Sequence, residues 1–250
     1  DLWREAFDLE VDRFKERETV KEVLATDIPP GVSPTKIKWV VKRKLNSDGT
    51  PGRCRCRAVL LGCTQRFGES FFETNVASLS ITTVRIMLAL AAATGSQLHL
   101  LDISGAYLYA NMDTDLLYAL PPPGYRRQAD VNGKRVAVYW HVKGSIYGAR
   151  QAGRQWYREL TDVLFSIGFV RFANDACTFY RVQNSHPIFI CLYVDDVVCL
   201  PTQPGQVERL VQELEARFEL THEVMDKFLG MLISQGADGI KVSASQLIDK

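Results

Sequence analysis

Ile188-Phe189-Ile190-Cys191-Leu192-Tyr193-Val194-Asp195-Asp196-Val197-Val198-Cys199-Leu200 is the stretch on which the fold turns. Two apolar runs, Pro187 to Val194 and Val197 to Leu200, flank a pair of adjacent acids. Runs this short and this rich in β-branched residues read as buried strands. Adjacent carboxylates repel one another and are poor strand formers. The pattern therefore predicts a strand, a two-residue acidic turn and a second strand. An unassisted tight turn is better served by Asn-Gly or Asp-Gly. Asp195 and Asp196 thus either make a plain turn or meet a divalent cation, which takes carboxylate oxygens.

A third acid bears on that choice. Gln97-Leu98-His99-Leu100-Leu101-Asp102-Ile103 is an apolar strand that runs into Asp102. Asp102 either caps the next helix or, if its strand lies beside the 188–200 hairpin in one sheet, joins the acidic pair. Two metal ions about 4 Å apart, held by shared carboxylates, stabilise the attacking and leaving oxygens of phosphoryl transfer.

Working outward, residues 2–15 show helical spacing through Leu2, Trp3, Ala6, Phe7, Val11 and Phe14. Lys36 to Leu45 and Arg53 to Leu61 read as two strands joined at Asn46-Ser47-Asp48-Gly49. Alternation puts Arg53, Arg55 and Arg57 on one face, against Cys54 and Cys56 on the other. Residues 81–94 predict a mostly buried helix with Ser80 as its cap and Gly95 as its stop. Pro121-Pro122-Pro123-Gly124 breaks the chain ahead of a polar loop around Asn132-Gly133. Amphipathic helices are predicted over 150–167 and 206–219, with short strands at Phe228 to Ser234 and Ile240 to Ser243. Strands and helices mix without strict alternation, so the predicted class is α+β.

With 250 residues, 46% apolar and 24% charged, the chain has material for a real core. That composition excludes disordered, collagen-like and coiled-coil chains. The apolar runs are far too short to span a bilayer as helices, and no signal segment opens the chain. It begins with Asp1 rather than Met, so a piece of a longer protein is expected. None of the six Cys forms a C-x-x-C pair, which favours reduced thiols of an intracellular protein over a disulfide framework. Cys54, Cys56 and Cys63 with a distant His could imitate a zinc site, at a spacing that matches no zinc knuckle.

The net charge is only +1, but its distribution is uneven. Lys36 to Arg66 holds nine Lys and Arg against one acid, Asp48; Gly124 to Arg158 holds eight against one, Asp130. Gly205 to Asp226 is acidic in turn. The basic blocks either solvate ordinary surfaces or form a localised face for a polyanion. Aromatic residues interleave with the second block (Tyr125, Trp140, Tyr147, Trp156, Tyr157), which favours nucleic acid.

In motif order the chain resembles the reverse transcriptase domain of copia-type LTR retrotransposons. The resemblance rests on Lys38-Trp39-Val40 with Asp48-Gly49, Leu101-Asp102-Ile103 with Ala106-Tyr107-Leu108, and Leu120-Pro121-Pro122 with Gly124-Tyr125. It continues through Ser145-Ile146-Tyr147-Gly148, Arg154-Gln155-Trp156-Tyr157, Tyr193-Val194-Asp195-Asp196, Phe228-Leu229-Gly230 and Ser245-Gln246. It implies a right-hand polymerase: fingers over about 18–95 and part of 111–150, and a ferredoxin-like palm with a catalytic β-hairpin over about 96–110 and 151–231. The start of a thumb would come after it, over about 232–250.

The same resemblance implies that Asp102, Asp195 and Asp196 are catalytic and, with the Ile103 carbonyl, hold two Mg²⁺ ions, for which Mn²⁺ can substitute. Arg55, Arg57, Ala106, Tyr107, Gly148 and Arg150 would bind the dNTP, Tyr107 as a gate against a ribose 2′-hydroxyl. Tyr193, Phe228, Leu229 and Gly230 would hold the template-primer. The implied partners are an RNA template, a DNA primer, dNTPs and a ribonuclease H elsewhere in a Pol polyprotein, with no membrane. The implied place is a cytoplasmic particle. The family's usual Lys-Ala-Arg-Leu-Val-Ala reads Arg55-Cys56-Arg57-Ala58-Val59-Leu60 here, and Arg150 stands where Lys is usual. A rival reading is a decayed copy that keeps the fold and only binds nucleic acid.

Overall fold

Alternation, helical spacing and capping residues cut the sequence into short elements, and the computed structural model describes them over residues 2–45 and 50–244. The Asn46-Ser47-Asp48-Gly49 turn and Ser245-Gln246 lie outside the described residues. In chain order the elements are α1 (Leu2–Glu16), β1 (Val20–Leu24), β2 (Thr35–Leu45), β3 (Pro51–Leu60), α2 (Ile81–Thr94), β4 (His99–Ile103), β5 (Tyr118–Leu120), β6 (Gln128–Val131) and β7 (Lys134–Val142). Then come α3 (Ala152–Ser166), β8 (Val170–Arg171), β9 (Thr178–Gln183), β10 (His186–Tyr193), β11 (Asp196–Leu200), α4 (Gln206–Glu215), β12 (Leu220–Val224), β13 (Lys227–Phe228), β14 (Met231–Gly236) and β15 (Gly239–Ser243). The class is mixed α+β, as the sequence implies.

The chain divides into two compact units, Asp1–Val76 with Tyr107–Glu159 and Ala77–Ala106 with Leu160–Lys250. In the first, strands run in the order β1-β7-β5-β2-β3, with β6 paired to β7. β3 keeps the predicted alternation: Arg53 and Arg55 are exposed and Arg57 is half-buried, whereas Cys54, Cys56 and Ala58 are buried. The buried face meets α1, whose Val11 and Phe14 enter a core with Ile37, Ala58, Leu60 and Trp140. Each of the Val, Ile, Leu and Phe side chains contributes roughly 1.5–3 kcal/mol on burial. The polar loop expected around Asn132-Gly133 is a tight hairpin turn in which both residues adopt positive φ, 54° and 75°. That is the conformation for which Asn-Gly is suited.

In the second unit the sheet order is β12-β4-β11-β10-β9-β8, every pair antiparallel. α2 begins and ends where its caps predict: the Ser80 hydroxyl accepts from the Thr82 N–H, and Gly95 is left-handed at φ 67°. It is less buried than expected. Val84, Met87 and Ala91 face inward, while Ile81, Ile86 and Leu90 are exposed. A helix that is apolar all round still offers only one stripe to one sheet.

Three further expectations are corrected. The helix expected over 206–219 ends at Glu215, because Phe218 turns into the core and Leu220–Val224 leaves to pair with β4. The strand expected from Phe228 to Ser234 is broken by a Leu229-Gly230 turn, both residues at positive φ, so that Phe228 pairs with Met231. The turn expected at Asp195-Asp196 is shifted back by one residue. Tyr193 pairs with Asp196, so Val194 and Asp195 form the tip and Asp196 already belongs to β11. All six cysteines are free thiols, Cys63 exposed and the others buried.

Candidate active site

The β10–β11 tip is an unusual place for its residues. Val194 has a φ of 58°, a left-handed conformation that costs a β-branched residue about 1–3 kcal/mol. The strands below hold it there, since Cys191, Leu192, Val197 and Val198 are all buried. The Asp195 carbonyl accepts a hydrogen bond from the Ile103 N–H at 3.0 Å, which ties the tip to the end of β4.

Asp196 and Asp102 are direct register partners between β11 and β4. Opposed residues of an antiparallel pair share a face, with Cβ atoms about 4.5–5.5 Å apart, and like charges there repel. Asp196 is half-buried, and its carboxyl is pushed from 3.8 up to about 6, by loss of solvent first and then by the charges of Asp195 and Asp102. Asp102 itself is exposed. Two adjacent acids and a third from a distant part of the chain thus meet, and Asp196 feels the charges of the other two. Among the described residues no three His, Cys, Asp or Glu side chains already converge as a closed metal cage. The arrangement is an in-register pair with a third acid at the adjoining tip. Its donors are hard oxygens, and a divalent cation would relieve their repulsion, so the donor chemistry fits such an ion.

Tyr193 and Phe228 also come together, their rings edge to face at 5.9 Å. Phe228 is buried and Tyr193 partly exposed. Leu229 and Gly230 are the turn beyond Phe228. Ala106 is buried at the end of the second unit's first segment, and Tyr107 opens the next segment of the first unit.

The remaining predicted residues lie in the first unit. The Arg57 guanidinium sits over the Tyr147 ring at 4.5 Å, and Tyr147 meets Tyr107 edge to face at 5.1 Å. Arg55 is exposed on the same strand face. Arg150 is anchored, with its Nε donating to the Gly62 carbonyl at 2.7 Å and its backbone N–H to Gln65 Oε1 at 2.8 Å. Gly148 has φ 86°, and a Cβ there would stand 2.2 Å from the Leu60 carbonyl oxygen. The close backbone approach at Gly148 is therefore to β3.

Sequence reading gives no site role to Glu10 or Tyr147. Glu10 is buried beneath β3, where its carboxylate accepts the Ala58 N–H at 3.1 Å; burial raises its pKa. An acid inside the apolar stripe of α1 was the available signal. Tyr147 links Tyr107 to Arg57, and only the fold could show that.

The family described as reverse transcriptase (RNA-dependent DNA polymerase) matches residues 21–250. The chain belongs to that family. This reverse transcriptase domain is 30% identical over 244 residues to the Retrovirus-related Pol polyprotein from transposon RE2 of Arabidopsis thaliana, covering 97% of the chain and 16% of that polyprotein. It is 30% identical over 225 residues to the one from transposon RE1 of the same plant, 88% of the chain and 15% of the relative. It is 29% identical over 239 residues to the one from transposon TNT 1-94 of Nicotiana tabacum, 95% of the chain and 17% of the relative. The copia-type resemblance read from the motif order therefore holds. The reverse transcriptase domain spans only about one-sixth of these polyproteins. No helix among the described residues is long and apolar enough to cross a membrane.

Proposed function

We propose that this domain is an RNA-directed DNA polymerase that adds dNTPs to a primer 3′-hydroxyl on an RNA template. The observation that carries this is the register match of Asp102 with Asp196, joined to the tip by the Ile103 N–H bond to Asp195. It unites, at one strand end, the three acids to which the motifs assign catalysis.

Asp102, Asp195 and Asp196, with the Ile103 carbonyl, would hold two Mg²⁺, with Mn²⁺ as a substitute. When bound, such ions supply Lewis-acid stabilisation of the attacking and leaving oxygens. The protein's own contribution is to hold the acids in place through the β4–β11 ladder. Tyr193, Phe228, Leu229 and Gly230 are assigned to the template-primer; the Tyr193–Phe228 contact supports a shared role. Arg55 and Arg57 are assigned to the triphosphate, since guanidinium forks suit phosphate geometry. Ala106, Tyr107, Gly148 and Arg150 complete the dNTP assignment. Tyr107 is the gate against a 2′-hydroxyl.

The proposed division is fingers over about 18–95 and part of 111–150, palm over about 96–110 and 151–231, and the start of a thumb over about 232–250. The sequence β4, α3, β10, β11, α4, β12 with sheet order β12-β4-β11-β10 supports a ferredoxin-like palm. α2, counted with the fingers in that division, belongs to the same compact unit as this sheet. The wider proposal is a Pol polyprotein that also carries ribonuclease H and copies its RNA in cytoplasmic particles.

The test is dNTP incorporation on a primed homopolymer RNA with Mg²⁺ or Mn²⁺. Incorporation that Asp195→Asn abolishes supports the proposal. A folded chain that binds primed template in a salt-sensitive way but incorporates nothing would replace it with the decayed-copy reading.

A further inference from the structure

A second pair of side chains in the Leu160–Lys250 unit and its Ala77–Ala106 segment has ligand chemistry that the polymerase reading leaves unused. His99 opens β4, and His222 lies on the neighbouring edge strand β12. Their Nδ1 and Nε2 atoms are 3.0 Å apart, and the ring centroids are 5.1 Å apart. The register accounts for the meeting. His99 pairs with Val224 and His222 with Leu101, so the two histidines are diagonal neighbours on one face of the sheet. Side chains alternate along a strand, and Asp102 is three positions from His99, so the histidines and the catalytic acids occupy opposite faces of β4.

We propose that His99 and His222 form a two-imidazole site for a transition-metal ion of the zinc class, separate from the carboxylate site. Imidazole nitrogen suits Zn²⁺, Ni²⁺ and Cu²⁺, whereas Mg²⁺ takes oxygen ligands and does not compete for the imidazoles. Two nitrogens each about 2.0–2.1 Å from one ion in tetrahedral geometry stand roughly 3.3 Å apart. The pair needs to open by only a few tenths of an ångström and turn both lone pairs toward a common point. His222 is exposed on the edge strand and gives the ion a path in, while His99 is half-buried and held by the core. The Glu208 carboxylate on α4 acts electrostatically on His99 and favours a cation beside it. Among the described residues no third side chain already completes a cluster, so the site is open and its other positions take water.

The tag-free chain is titrated calorimetrically with ZnCl₂ in a non-chelating buffer, alongside His222→Ala and Asp196→Asn. In excess MgCl₂, which occupies the carboxylate site, one zinc ion per chain is expected, weakened about tenfold or more by His222→Ala and unaffected by Asp196→Asn. With one equivalent of Cu²⁺, electron paramagnetic resonance of the unsubstituted chain shows two equatorial nitrogens, and His222→Ala removes one. No zinc binding, zinc binding that His222→Ala leaves intact, or zinc binding that Asp196→Asn removes overturns the proposal and leaves the pair as a hydrogen-bonded strand contact. If His222→Ala fails to fold, the copper signal of the unsubstituted chain decides: an oxygen-only ligand set overturns the site.

Discussion

Asp196 stands opposite Asp102 across the β4–β11 ladder, and its carboxyl is pushed up to about 6 by burial and by the charges of its two acidic neighbours. The fold therefore holds together groups that repel one another whenever no cation is present. A group raised this way favours the folded state when protonated. Its stabilising effect is complete below its ordinary value of 3.8 and is lost as pH rises through about 6.

Asp196→Asn removes that cost. In metal-free buffer at pH 7 to 8 it is expected to stabilise the chain by about 1–2 kcal/mol, after discounting for solvent screening of a half-exposed group. The gain vanishes near pH 4, where the native carboxyl is protonated. Denaturant midpoints of both chains across pH 4 to 8 check this, and a gain that does not fall with pH sinks it.

Added Mg²⁺ acts on the same repulsion from the other side. An ion that binds only the folded state at ten times its Kd stabilises by about 1.4 kcal/mol. Thermal melting with and without MgCl₂ is expected to show an upward shift in the unsubstituted chain and little or none in Asp196→Asn.

Catalysis is more sensitive than stability. Asp102→Asn and Asp195→Asn each remove a charged oxygen from the proposed metal site. Losses of about 10³-fold or more in incorporation rate are expected, with melting temperature changed by only a few degrees. Single-turnover primer extension measures the loss.

Val194→Gly relieves the left-handed strain at the hairpin tip. Glycine adopts φ 58° freely but loses more chain entropy on folding, so the expected net gain is modest, about 0.5–1 kcal/mol. Urea unfolding is the check; a loss above about 1 kcal/mol would show that the Val194 side chain supports the tip.

Gly148→Ala goes the other way. Its Cβ would lie 2.2 Å from the Leu60 carbonyl oxygen and 2.6 Å from Val59 Cγ1, at a φ of 86°. Displacing β3 backbone and adding left-handed strain together cost about 2–4 kcal/mol, read out by chemical denaturation.

Much of this was written locally. The Arg53-Arg55-Arg57 face, the Ser80 and Gly95 ends of α2, and the strand character of Ile188 to Leu200 come from periods and caps that act within a few residues, so the string carried them. The motif order carried the family. Long-range pairing was beyond its reach. Which residue starts β11, which acid faces Asp102, the break at Leu229-Gly230, the burial of Glu10 under β3 and the meeting of His99 with His222 all depend on strand register. A one-residue slip in register turns every side chain to the other face, and only the packing of the whole sheet chooses between the alternatives.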